Sequence, residues 1–127
     1  MAYSEATENI TGLAGEAIVI YRFVDPQSDQ TWDKTDDPTD LASGIAAESV
    51  ASGGEFPIAI FDGSVGLIEL GATISGGLMV SAGTDGVGDT ASVIGGDLVV
   101  GPLLVGGISG DIVPIVMSVR TVNSDSA

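Results

Sequence analysis

The chain has 127 residues, enough for one domain or two very small halves around a shared core, and 44% of them are hydrophobic. Three basic residues, Arg22, Lys34 and Arg120, stand against eighteen acidic ones for a formal net charge of −15. That balance excludes wrapping nucleic acid or binding an anionic membrane surface, because both need Lys and Arg against phosphate. With no cysteine and no histidine, neither a disulfide nor a Ser-His-Asp or Cys-His site can be built, and the commonest zinc ligand is missing.

Residues 1–14 are polar, with Tyr3, Ile10 and Leu13 as the large apolar positions, and read as an extended N-terminal arm. No basic start leads into an apolar run there, so no signal peptide is expected. GEAIVIYRFV, 15–24, is β-branched and aromatic, bounded by Gly15 and Asp25-Pro26, and predicts a strand. PQSDQTWDKTDDPTD, 26–40, holds five aspartates, two prolines and Trp32, the single tryptophan. It reads as a loop longer than the usual ~4–6 residues. Trp32 either covers one end of the core or serves as an exposed anchor for a partner.

Residues 41–51 could form a short helix capped by Asp40, but the repeat described below favours a strand over 43–50. Further strands are predicted at EFPIAIF (55–61), VGLIEL (65–70), ATISGGLMV (72–80), LVVGPLL (98–104) and IVPIVMSV (112–119). SAGTDGVGDT, 81–90, reads as a Gly/Asp loop, and Asp-Gly at 62–63 and 85–86 are hairpin-type turn signals. Nineteen glycines are about twice the ordinary ~7% and punctuate short apolar runs, as in an all-β protein. The apolar stretch 98–119 is cut by Pro102, Asp111 and Pro114, so it lacks the ~18 unbroken apolar residues of a membrane helix.

The chain echoes itself. LASGIAAESVASGGEFPIAI (41–60) returns at 98–117 as LVVGPLLVGGISGDIVPIVM, with six identities in twenty positions at an offset of 57. A fainter echo, Ile18 and Val24 with Ile74 and Val80, lies at an offset of 56. What recurs is turn and strand punctuation. Pro57 and Pro114, which cannot donate to a ladder, are expected on edges or at a strand's first residue. The expected organisation is an arm (1–14), one β domain (15–122) with halves near 15–61 and 71–119, and a tail (123–127).

Chemistry has little to work with, and no catalytic, cofactor or metal residues are assigned. Asp29, Asp33, Asp36 and Asp37, or Asp85 and Asp89, offer oxygen ligands for calcium, but the D-x-[DN]-x-[DN]-G pattern with its distal Glu is absent. Glycines 83, 86 and 88 do not follow a phosphate-binding spacing. The expectation is a binding or assembly protein, not an enzyme. The alternative is a small calcium-dependent or carbohydrate-binding β module of a surface assembly.

The run GATISGGLMVSAGTDG followed by VVGPLLVGGISGDIVPIVM resembles the DUF2190-like group of phage capsid decoration, or cement, proteins. The matching elements are Ile74, Gly77, Val80, Gly101, Gly110, Asp111 and the strand from Ile112 to Met117. The first half, GIAAESVASGGEFPIAIFDGSVGL, is similar to the group's earlier strand pair, whereas the acidic loop 26–40 departs from its compact pattern. The resemblance implies an all-β, β-clip or β-tulip-like barrel or sandwich. It also implies a virion protein on the outer surface of an icosahedral head, acting as a homotrimer and clamping neighbouring subunits of the major capsid protein. Tyr3, Ile10, Leu13 and Trp32 are then the candidate capsid contacts, the arm adding strand-like pairing to the lattice.

Overall fold

A computed structural model describes residues 9–122. Five short strands come first: β1 (Asn9–Leu13), β2 (Phe23–Pro26), β3 (Trp32–Lys34), β4 (Gly44–Ala46) and β5 (Glu55–Ile60). Five more follow: β6 (Val65–Glu69), β7 (Val80–Ala82), β8 (Gly88–Thr90), β9 (Leu98–Val100) and β10 (Ile112–Val116), and then β11 (Val119–Thr121). One 3-10 turn, Thr84–Gly86, joins β7 to β8. The strands form three antiparallel sheets, ordered β1-β5-β4-β2-β3, β10-β6 and β11-β9-β7-β8, packed as an all-β sandwich-like body.

The sequence echo is the visible part of a complete structural repeat. β1 pairs with β5 from Asn9↔Ala59 to Leu13↔Glu55, and β6 pairs with β10 from Val65↔Val116 to Glu69↔Ile112, in equivalent register. The hairpin pair Val24↔Lys34 answers to Val80↔Thr90, and the bridge Ile18↔Val50 to Ile74↔Gly107. Turns correspond as well. Gly53 and Gly110 both have positive φ (84° and 93°), and their N–H groups donate to Ala14 and Leu70 carbonyls at 2.8 and 2.7 Å. Only glycine takes that conformation without strain, which is why Ser-Gly recurs at 52–53 and 109–110. The offset is 56 up to Gly44 and Val100, which pair with Val24 and Val80. It is 57 from Ala46 and Leu103, whose partners are Ile58 and Ile115. The extra residue lies at Gly101-Pro102, where the peptide bond is cis, and there the second half's sheet divides.

The two halves have the same core. Ala14, Ile18, Val24, Ala46, Phe56 and Ile58 pack together in the first half. Their equivalents Leu70, Ile74, Val80, Leu103, Val113 and Ile115 all pack together in the second. Volume is partly exchanged within the set: small Ala14 with large Phe56 becomes Leu70 with Val113, while Ala46 becomes the larger Leu103 and the first cluster is filled instead by Trp32 and Val50 packed against it. The second cluster also takes in Phe23, Ala42, Ile45 and Ala59 of the first half, which joins the halves into one body.

Four expectations change. Residues 9–14 are not part of a free arm, since β1 is laddered to β5 and Ala14 is buried. Residues 15–24 are not one strand: a turn intervenes at Tyr21, which has φ 68° where the second half has Gly77 at 86°. Likewise 72–80 is extended only around Ile74 and from Val80 onward. The aspartate-rich stretches 26–40 and 81–90 contain β3 and β8, each a hairpin partner. Pro57 is on a central strand, β5, rather than an edge. Its carbonyl accepts from Ala47 at 2.9 Å, as that of Pro114 accepts from Leu104 at 2.9 Å. Each proline lacks the N–H for the return bond, so the ladder with the neighbouring strand stops there.

Candidate functional site

Of the four expected contacts, Tyr3 lies outside the described residues. Ile10 and Leu13 are on β1, 41% and 44% exposed. Being three apart on a strand, they leave opposite faces of the sheet and do not form one patch. Trp32 is half-buried on β3 and packs against the first core. Its ring lies over Gly12, where a Cβ would come within 2.8 Å of Cδ1. Trp32 therefore covers the end of the core, filling space that a larger β1 residue would otherwise take.

The aspartates of 26–40 mostly serve the chain itself. The Asp29 carboxylate accepts from the Thr31 N–H (3.1 Å) and hydroxyl (2.6 Å). Asp37 accepts likewise from Thr39. These hydroxyl bonds hold both carboxyls below the usual range and close local turns. Among the described residues no group of three or more acidic side chains is arranged to hold a metal ion.

Asp25 is different. Burial first, then the neighbouring Asp40, push its carboxyl up to about 6, against a hydrogen bond from Gln27. It also pairs across the hairpin with Asp33, like charge facing like charge. A carboxyl whose folded pKa lies above its unfolded value of 3.8 helps stability below about pH 4 and loses that help as pH rises through about 6. Asp25→Asn is therefore expected to melt higher than wild type at pH 7.5, by about 1 kcal/mol after allowance for solvent screening. The advantage should shrink to nothing near pH 4. Paired melting curves at the two pH values check this; an equal gap at both would refute it.

The halves meet through the first half's β2–β3 hairpin. Arg22 forms an ion pair with Glu69 at 3.2 Å and donates to the Asp85 carbonyl at 3.0 Å. Lys34 reaches the Asp85 carboxylate at 2.8 Å. The Glu69 N–H donates to the Tyr21 carbonyl at 3.0 Å. Gly86 sits so close that a Cβ would come within 2.7 Å of the Phe23 carbonyl oxygen. Two of the three cations in the chain are thus spent on the internal junction, with Phe23 buried behind them against Phe61, ring centroids 6.0 Å apart and edge-on at 85°.

The second half presents the matching hairpin to solvent. A depression of about 350 Å³ there is lined by Ile74, Leu78, Met79, Thr90 and Ala91, among others. A neighbouring groove shares Met79 and Ala91 and runs to Arg120 and Val122. Leu78, Val93 and Ile94 stand exposed beside them. This surface was not expected from the sequence. Aligning the halves would have pointed to it: Arg22 becomes Leu78, which is exposed, as are Val105 and Ile112 elsewhere on the second half where the first has Glu48 and Glu55. The same backbone tolerates charge at these places, so the fold does not demand aliphatic residues there. Surface apolar clusters of this kind mark contact sites.

No family model matches the chain, and no curated protein does. The resemblance to the decoration-protein group therefore stays a resemblance. Among solved structures the chain is similar to the N base of head fiber gp8.5 of bacteriophage phi29, with a TM-score of 0.72 over 89% of this chain and 95% of that one, at 18% identity. The two share a fold. The likeness spans both halves of the repeat, so the doubled five-strand plan, and not one half alone, is common to the two chains.

Proposed function

We propose that this chain is a structural virion protein of a bacteriophage, bound to the outside of the head as a homotrimer and bracing neighbouring subunits of the major capsid protein. The observation that carries the reading is the likeness, over nearly the whole of both chains, to the base of a phage head fiber. The composition agrees. A net charge of −15 suits an exterior position and repels DNA. The absence of His and Cys from the sequence suits a role without catalysis. The mode of binding is apolar burial and strand pairing, repeated at many equivalent sites so that modest contacts sum. Ile10 and Trp32 lie at the β1 end of the first half, and Tyr3 just before it in sequence; of the four expected contacts these three are assigned to the capsid, Leu13 leaving the opposite face of β1 from Ile10.

Cosedimentation tests it. Purified protein mixed with heads lacking surface proteins should pellet with them at micromolar concentration and raise their resistance to heat. Ile10→Glu, at the partly exposed start of β1, should reduce the pelleted fraction about tenfold at a temperature where the variant is folded. Protein that stays in the supernatant with heads of its own phage would refute the reading.

A further inference from the structure

The internal junction is head-to-tail. One surface of the repeat, here called the socket, is supplied by the first half: Tyr21, Arg22, Phe23 and Lys34. The other, the plug, is supplied by the second half: Glu69, Asp85 and Gly86. Because the two halves have the same fold, each chain also carries an unused copy of both. The second half's socket is Gly77, Leu78, Met79 and Thr90, and the first half's plug is Leu13, Asp29 and Gln30, all at an offset of 56.

Their burial shows that these copies are uncovered. Phe23 is fully buried in the occupied socket, whereas its equivalent Met79 is only partly so, and Leu78 is 54% exposed where Arg22 is largely covered. In the plug, Gly86 is buried but its equivalent Gln30 is exposed.

The residues at the centre have changed together. The internal junction has Arg22 on Glu69. The open surfaces have Leu78 and Leu13 at those same two positions, both aliphatic and both exposed. An ion pair has been replaced on both sides by an apolar pair, which a contact between two copies can bury without desolvating charge. The backbone is ready as well. The Glu69 N–H points away from β10 and bonds the Tyr21 carbonyl. The Leu13 N–H is equivalently placed on the outer side of edge strand β1, and the Gly77 carbonyl corresponds to its acceptor. One corner differs: Gln30 stands for Gly86, so the hairpin tip cannot approach as closely and the contact centres on Leu13 and Leu78.

We propose that a second copy of this chain occupies the open socket, placing the Leu13 edge of its β1 against Leu78 of its neighbour, and that successive copies close into a ring. A contact between unlike surfaces builds a ring where its rotation closes and a filament where it does not; in the homotrimer proposed above it makes a ring of six repeats with three internal and three inter-chain junctions. The inference gives that trimer its surfaces and does not depend on capsid binding.

The experiment measures mass in solution by light scattering. Wild type should have the mass of three chains at micromolar concentration. Leu78→Arg alone and Leu13→Glu alone should each weaken assembly at least about tenfold, giving folded monomers by circular dichroism. The double variant should restore the ring by recreating the internal ion pair between copies. A second measurement uses the chain's lack of cysteine. With a bifunctional maleimide, a variant carrying both Leu13→Cys and Leu78→Cys should crosslink into covalent oligomers, and either single variant should not. A monomeric wild type, single variants that assemble like wild type, a double variant no better than the singles, or crosslinking of a single-cysteine variant would each overturn the proposal. Heads that fail to bind an intact ring would refute the capsid reading and leave this one standing.

Discussion

Phe23→Ala is expected to cost about 3–5 kcal/mol and leave the protein largely unfolded near body temperature. Phe23 opens β2 with no exposed surface. It is a first-half residue in the second half's core, packed with Phe61 and joined there by Ala42, Ile45 and Ala59. Its carbonyl accepts from Thr35 at 3.0 Å, and Gly86 closes over its backbone. Truncation would leave a cavity that the rigid strands on both sides cannot collapse, so the transfer and cavity costs add. The internal repeat supplies the control. Met79→Ala alters the equivalent position, but Met79 faces the open depression. At the concentrations where the chain is monomeric it should cost less than about 1 kcal/mol. Urea denaturation of both variants checks the contrast. Equal losses would mean that position 23 matters to the repeat's own core and not to the junction.

That contrast also explains what could be read from the sequence. EFPIAIF and VGLIEL alternate well and became β5 and β6. Ser-Gly at 52–53 and 109–110 marked turns whose geometry only glycine meets, and so stood out. Other elements gave no such signal. β1 reads NITGL, with a glycine at its buried position 12, because Trp32 reaches over Gly12 and does the filling that Ile68 does in β6. The turn at Tyr21 is hidden for the opposite reason: its residue is one that β-propensity favours, and tertiary contacts hold it in a conformation that a glycine serves in the other half. β3 and β8 are three residues long among aspartates, too short for any periodicity. The docking surface was invisible to a search for chemistry, since it consists of missing charge. It emerges only when the halves are compared position by position.

Removing residues 1–14 is expected to abolish folding, whereas removing residues 1–8 is expected to leave the melting temperature within a few degrees of wild type. The first deletion takes away β1 and with it the five-residue ladder to β5. It also takes Ala14, whose N–H and carbonyl bond Gly54 and Gly53 at 2.8 Å each. Phe56 and Ile58, at 2% and 0% exposure, would face water, about 1.5–3 kcal/mol for each side chain before the hydrogen bonds are counted. Trp32 would lose Gly12 beneath it. Together these losses match the whole stability of a small domain. The second half cannot compensate, because β6 is already paired with β10. The shorter deletion stops before Asn9 and keeps every one of these contacts, so it separates any part Tyr3 plays in capsid binding from the part β1 plays in the fold. It also leaves Leu13 in place, and the trimer should survive it. Calorimetry and light scattering on the two truncations decide the matter: a folded, cooperative protein lacking residues 1–14 would mean that β1 is a dispensable addition to the sheet, and the plug it carries would then lose its support.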